Sequence, residues 1–156
     1  MKRLIAIILL SAILGCSNGA AIQPTETKAS LQERAELQTA AFSEGRWLDV
    51  WALQSPRFRA VCKSGDFALV TTMGLGFLRG LLGIADNVPL GFEITKIQEI
   101  GESGRVWSEV TYNGQPVDFG GENKGDLWVR VDGVWYSEPD KWEAGCNPQE
   151  IFGGQK

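Results

Sequence analysis

Asp49, Asp66, Tyr112, Asp118 and Glu122 are the side chains of this sequence whose types could serve a reaction as base or hydrogen-bond donor. A carboxylate base beside a hydroxyl donor in a sheltered pocket performs proton transfer, the chemistry of isomerases and cyclases. The chain contains no His, which removes Ser–His and Cys–His pairs, imidazole bases and the commonest catalytic zinc ligand. Each candidate also has an ordinary role. Asp49 lies in an amphipathic stretch, where an outward carboxylate is the default. Asp66 suits the first turn of a helix, where backbone N–H groups favour negative charge. Asp118 and Glu122 lie near a Gly-rich loop, and Tyr112 precedes a hairpin turn and packs on a sheet. No spacing brings these groups together, so no catalytic residue is assigned. Gly120-Gly121 and Gly153-Gly154 do not precede helices and are not phosphate loops. Asn147-Pro148-Gln149 is not a glycosylation acceptor, because its third residue is Gln. Cys62 and Cys146 lack partners for a metal site, so neither metal nor cofactor is expected.

The three cysteines carry a different chemistry. Met1-Lys2-Arg3 is a short basic start, an uncharged apolar run follows to Leu14, and Gly15-Cys16 leads into polar Ser17-Asn18-Gly19. This is the layout of a secretory signal. The run of about 11 residues would make roughly 16 Å of helix, too short for a bilayer core of about 30 Å. Ile13-Leu14-Gly15-Cys16 resembles the bacterial lipobox, with an aliphatic residue three before the Cys and a small residue just before it; Leu14 is bulkier than its usual occupant. The resemblance implies that residues 1–15 are a signal peptide and that Cys16 is the acylated first residue of an extracytoplasmic lipoprotein, membrane-bound through its lipid. With Ser17 rather than Asp next, it implies an outer-membrane address if the source has two membranes. An ordinary cleaved leader with an incidental Cys is the alternative. Cys62 and Cys146 then remain as an even pair in a compartment that permits disulfides, and a bridge between them is expected, against the alternative of two buried thiols. Its loop of about 85 residues could stabilise by at most roughly 4–5 kcal/mol.

Length and composition suit one globular domain: 156 residues, 44% hydrophobic and 22% charged, with six Trp and seven Phe to fill a core. The 15 basic and 19 acidic residues give a net charge of −4, and loss of Lys2 and Arg3 with the leader moves it to −6. An acidic surface argues against nucleic acid and against electrostatic docking to anionic lipid.

The elements that must position these groups follow from local signals. Residues 16–29 read as a lipid-anchored tether, 30–146 as one α+β domain and 147–156 as a C-terminal tail. Ser30 and Glu33 form a capping box, and Leu31, Ala35 and Phe42, with Leu37 and Ala41 beside them, mark one helical face that ends at Gly45. Trp47, Leu48, Val50, Trp51 and Leu53 predict a short second helix, and Ser55-Pro56 starts a third carrying Phe58, Val61 and Cys62. Ser64 caps a further helix over residues 67–85 with Arg79 as its only charge. That stretch nears spanning length, but Gly74, Gly76, Gly80 and Gly83 weaken it and Arg79 is costly in lipid, so a buried helix ending in a Gly-rich loop near Asp86-Asn87 is expected. From Leu90 the pattern turns to strands. A turn at residues 101–104, the Asn113-Gly114 hairpin signal and the tight turn at Asp132-Gly133 predict an antiparallel meander of four or more strands.

A helix, then GRWLDVWALQSPRFRAVC, then a helix, a meander and a closing LWVRVDGVWY resemble the nuclear-transport-factor-2-like superfamily over residues 30–139, the group that includes ketosteroid isomerase, scytalone dehydratase and SnoaL-type cyclases. The resemblance implies helices packed on a curved antiparallel sheet around a conical, cystatin-like pocket. Trp47, Trp51, Phe58, Trp107, Tyr112, Trp128 and Trp135 are candidates to line such a pocket for an apolar or ring-shaped ligand; plain core is the usual role of aromatic residues, Trp142 included. The reading that follows is a membrane-anchored, non-catalytic binding or interaction domain, whose partner is an envelope protein or an apolar small molecule. A component of an envelope assembly and a small isomerase- or cyclase-type enzyme are the alternatives.

Overall fold

The computed structural model of the chain describes residues 29–85, 88–118, 123–141, 143 and 145–147. The leader, Cys16, the tether up to residue 28, Asp86-Asn87, the Gly120-Gly121-Glu122 loop, Trp142 and the tail from Pro148 lie outside the described residues. Four helices precede five strands: α1 (Leu31–Ser43), α2 (Trp47–Ala52), α3 (Pro56–Val61), α4 (Ser64–Leu82), β1 (Leu90–Ile100), β2 (Ser103–Tyr112), β3 (Gln115–Pro116), β4 (Asp126–Val131) and β5 (Val134–Glu138). The fold is α+β, with helices packed on an antiparallel sheet.

Local chemistry sets most of these boundaries. Ser30 accepts from the Glu33 backbone N–H at 3.2 Å, and the Glu33 carboxylate accepts from the Ser30 N–H at 2.8 Å, the reciprocal pair of a capping box. The Ser30 N–H, and after it the Ser30 hydroxyl, which donates to the same carboxylate at 3.0 Å, hold the Glu33 carboxyl below its ordinary pKa. Ser55 caps α3, whose first residue is Pro56. Gly83 ends α4 with a left-handed backbone at φ +64°. At the hairpin tips Asn113 and Asp132 adopt φ of +50° and +52°, each followed by a glycine with positive φ, as the predicted two-residue turns require.

The sheet runs β1-β2-β4-β5, and the short β3 extends the β2 hairpin. β2 pairs with β1 along its whole length, while its other edge is shared by β3 at Thr111–Tyr112 and β4 at Ser103–Val106. A bulge between Ile94 and Lys96 shifts the register of β1, so that Ile94 and Ile97 both pack on the core although they are three residues apart. β5 ends the sheet, and its free edge is covered by the α2–α3 connection: the Ser55 N–H donates to the Ser137 carbonyl at 2.8 Å, and the Ser137 N–H donates to the Leu53 carbonyl at 3.0 Å.

The core sits between α1 and the sheet. Leu31, Ala35, Val106, Trp128 and Trp135 form it, with Leu31 and Trp128 wholly removed from solvent. Gly104 makes this approach possible: a Cβ there would fall 2.5 Å from Leu31 Cδ2. Arg34, also buried, donates from Nε to the Trp135 carbonyl at 2.9 Å and stacks its guanidinium over Tyr136.

Three expectations about the helices change. Ser64 is the first residue of α4 and not its cap; Lys63 is the N-cap, with no side-chain cap bond. Leu37 is not on the packed face of α1 but 53% exposed. The apolar segment 67–85 is helical only as far as Leu82, and none of the α4 residues is fully buried, because the helix packs mainly against α2; buried Ile84 follows it. Among the described residues no helix is long and apolar enough to cross a membrane. Cys62 and Cys146 lie at bonding distance, with Cα atoms 5.0 Å apart and a sequence separation of 84.

Candidate functional site

Between α1, the first half of α4 and the inner face of the sheet lies a cavity of about 380 Å³. The strand register decides which residues reach it. Asp126 is the cross-strand partner of Val106, and Trp128, two residues on, is the partner of Ser137. Side chains two apart on a strand share a face, so Asp126 is on the same face as Val106, Trp128 and Ser137, under the helices. Phe42 from α1, Phe67 from α4 and Phe92 from β1 supply the apolar wall. Phe42 and Phe92 stack with centroids 5.4 Å apart, and Phe67 is anchored edge-on against buried Phe58 at 6.1 Å. Gln38, Thr39, Gln54, Thr71, Ser108 and Ser137 supply donors and acceptors.

Three acidic residues also line the cavity, Asp126, Glu138 and Asp140, although Glu138, the register partner of Leu127, turns its side chain to the other face of the sheet. Their surroundings differ. Glu138 is 2% exposed and is paired with Arg57, which reaches it from the opposite side. Asp140 is at the rim, with Arg105 4.0 Å away. Asp126 is exposed as a residue, yet the protein packed around its carboxylate crowds out part of its water. That burial, and secondarily the negative charge of Asp140, push its carboxyl above the ordinary 3.8, against the opposing pull of Arg105. Asp126 therefore gives up its proton less readily than a surface aspartate. A cation or a strong hydrogen-bond donor placed beside it would be favoured for the same reason. Among the described residues no cluster of three or more His, Cys, Asp or Glu could hold a metal ion.

The residues expected to line a pocket are distributed differently. Trp128 and Trp135 are core. Phe58 is buried behind the wall it supports. Trp51 donates from its indole to the Cys62 carbonyl at 2.8 Å and stacks with Arg59. Trp107 belongs to the opposite sheet face, as the register partner of Lys96, whose ammonium lies 4.4 Å from its ring, and it donates to the Asn123 carbonyl. Tyr112 pairs with Leu90 beside the hairpin. Trp47 lines a neighbouring cleft of about 360 Å³ with Phe42, Leu75 and Phe92. None of these seven is on the wall of the cavity that holds Asp126.

The candidate carboxylates also separate. Asp49 is exposed and paired with Arg46, a pairing with Glu44 and Asp49 that raises the Arg46 pKa. Asp66 is exposed in the first turn of α4, and Asp118 is exposed beyond the β3 hairpin. Glu122 lies outside the described residues. Sequence reasoning passed over Asp126, Glu138 and Asp140. A signal for Asp126 was present: it alternates with Trp128 and so shares the face of a residue that must be core.

Compared with known proteins, the chain matches no family model and no curated protein.

Proposed function

We propose that the chain is an extracytoplasmic lipoprotein held at the membrane through Cys16, and that its domain is a non-catalytic binding module of the nuclear-transport-factor-2-like kind. The observation that carries the binding role is the cavity under α1, with a phenylalanine wall on one side and Asp126 on the other. Such a site suits a small molecule with an apolar body and a cationic or hydrogen-bond-donating end. The body would displace water from Phe42, Phe67 and Phe92; the donor would offset the cost of keeping Asp126 ionised there. Support for the family reading is the order of the elements and the presence of a cavity between helices and an antiparallel sheet. Support for export is the paired Cys62 and Cys146, since disulfides persist in oxidising compartments.

A thermal-shift screen of the purified chain tests this reading. Aromatic or alicyclic amines should raise the melting temperature, neutral analogues of the same shape should raise it less, and Asp126→Asn should remove the difference. An amine preference that survives Asp126→Asn would overturn the assignment. Fractionation tests the anchor separately: Cys16→Ser should move the chain out of the membrane fraction, and retention there would sink the lipid attachment.

One observation favours a second reading. A pocket carboxylate with a raised pKa, near the Ser108 and Ser137 hydroxyls, is the arrangement of a general base in isomerase- or cyclase-type chemistry. Under that reading a bound carbonyl compound would exchange its acidic C–H proton for solvent deuterium. The exchange would grow as Asp126 ionises and would vanish in Asp126→Asn while binding remained.

A further inference from the structure

α4 carries an apolar face that no described part of the chain covers. Leu69, Met73, Phe77 and Leu81, spaced by four, are 57, 51, 64 and 68% exposed. With about 200 Å² of accessible surface for a side chain of this size, these four leave on the order of 500 Å² of apolar area open, at the upper end of what a monomer shows. Gly76 and Gly80 lie within the same stripe, and a Cβ built on either meets nothing within 4 Å. The only ionisable residue between Leu69 and Leu82 is Arg79, which donates to the Ala85 and Val88 carbonyls at 3.0 and 2.6 Å.

The geometry points to a second copy of this chain as the occupant, in an antiparallel α4–α4 pair. At 3.6 residues per turn, a two-fold axis crossing between Gly76 and Phe77 sets Met73 over the partner's Gly80 and brings the two Phe77 side chains side by side at the axis. The glycine admits the large side chain and the central pair is apolar on both sides, so one face packs against itself, as an isologous interface requires. The open apolar area supplies most of the roughly 800 Å² per partner that a standard interface buries. Other occupants fit less well. A lipid surface favours basic residues around the apolar face, whereas here Asp66 is exposed at one end, Arg79 is engaged with carbonyls, and the chain is acidic. The tail beyond Cys146 has two large apolar residues, Ile151 and Phe152, against a stripe about 18 Å long.

The test uses the full chain, released from its cells in a non-ionic detergent and weighed by native mass spectrometry. The expected species has twice the chain mass. Phe77→Glu, at an exposed position, should give single chains with an unchanged circular dichroism spectrum. In intact cells Gly76→Cys, beside the two-fold axis, should produce a disulfide-linked dimer on a non-reducing gel, whereas Glu109→Cys on the sheet should not. A single-chain species for the unaltered protein, or a dimer untouched by Phe77→Glu, overturns the proposal. So does a single chain whose binding to phosphatidylcholine vesicles depends on Phe77, which would assign the face to lipid. A single chain that dimerises only after residues 148–156 are removed would assign it to the tail and overturn the proposal equally. None of these readings depends on Cys16 or on the cavity, so its failure leaves the proposed function standing.

Discussion

α1 and α4 invert the usual relation between composition and burial. α1 is the polar helix, with Gln32, Glu33, Arg34, Glu36 and Gln38 in its first two turns, yet it hides Leu31, Arg34, Ala35, Gln38 and Ala41. α4 is the apolar one and hides no residue fully. The difference lies in what each helix faces. α1 lies across β1 and touches β5, so even its arginine finds a carbonyl partner there. α4 lies against α2, a helix of 6 residues that is too short to cover it. Hydrophobicity sets how much a segment gains from burial; topology decides whether a partner is available.

That contrast can be broken by substitution. Leu31→Ala should cost about 3–4 kcal/mol in urea unfolding, because a fully buried Leu loses both its transfer free energy and its packing. A loss under about 1 kcal/mol would mean that α1 is not seated as described. Replacing Cys62 and Cys146 together by Ser should cost about 2–4 kcal/mol, and amide exchange should rise in α4 before it rises in β1 and β2. Equal loosening of both regions would erase the distinction between them. Arg57→Ala leaves Glu138 buried without its cation and should cost about 1–3 kcal/mol, less if water reaches the gap, and Glu138→Gln in the same background should recover part of it. Asp126→Asn acts with the opposite sign. With its folded-state pKa raised above 3.8, Asp126 makes the folded chain hold a proton more tightly than the unfolded chain does. Its ionisation therefore weakens the fold as pH rises through that interval. The Asn variant should be the more stable one at pH 7, and the advantage should fade as the pH approaches 3.8; a difference independent of pH would refute the burial of that carboxyl. Smallest of all, Phe77→Ala should change the stability of the dilute chain by less than about 0.5 kcal/mol.

Much of the architecture was legible because it rests on short-range chemistry. Ser30 with Glu33, Ser55 with Pro56, Asn113-Gly114 and Asp132-Gly133 each act within four residues, and all four mark the boundaries they predict. The pairing of Cys62 with Cys146 was legible from parity alone. The cavity was not. Asp126, Ser137 and Phe67 meet only through the register of β2, β4 and β5 and the path of α4, and nothing local to any of them announces it. The tryptophans could not be placed for the opposite reason: size and apolarity suit a core, a sheet face and the wall of a cleft equally, and Trp128, Trp107 and Trp47 take one place each. The open face of α4 was equally hidden, since an apolar helix carries no mark of whether its partner belongs to the same chain.

The link between Cys62 and Cys146 also divides the domain mechanically. α4 and all five strands lie inside the covalent loop it closes, while α1, α2 and α3 lie on the single strand of chain between Ala29 and Cys62. A pull applied at Ala29 and at Cys146 can straighten only that outer strand, about 110 Å of contour at 3.3–3.6 Å per residue. The looped strands carry no tension, so a sustained load would peel α1 away from a sheet that stays folded.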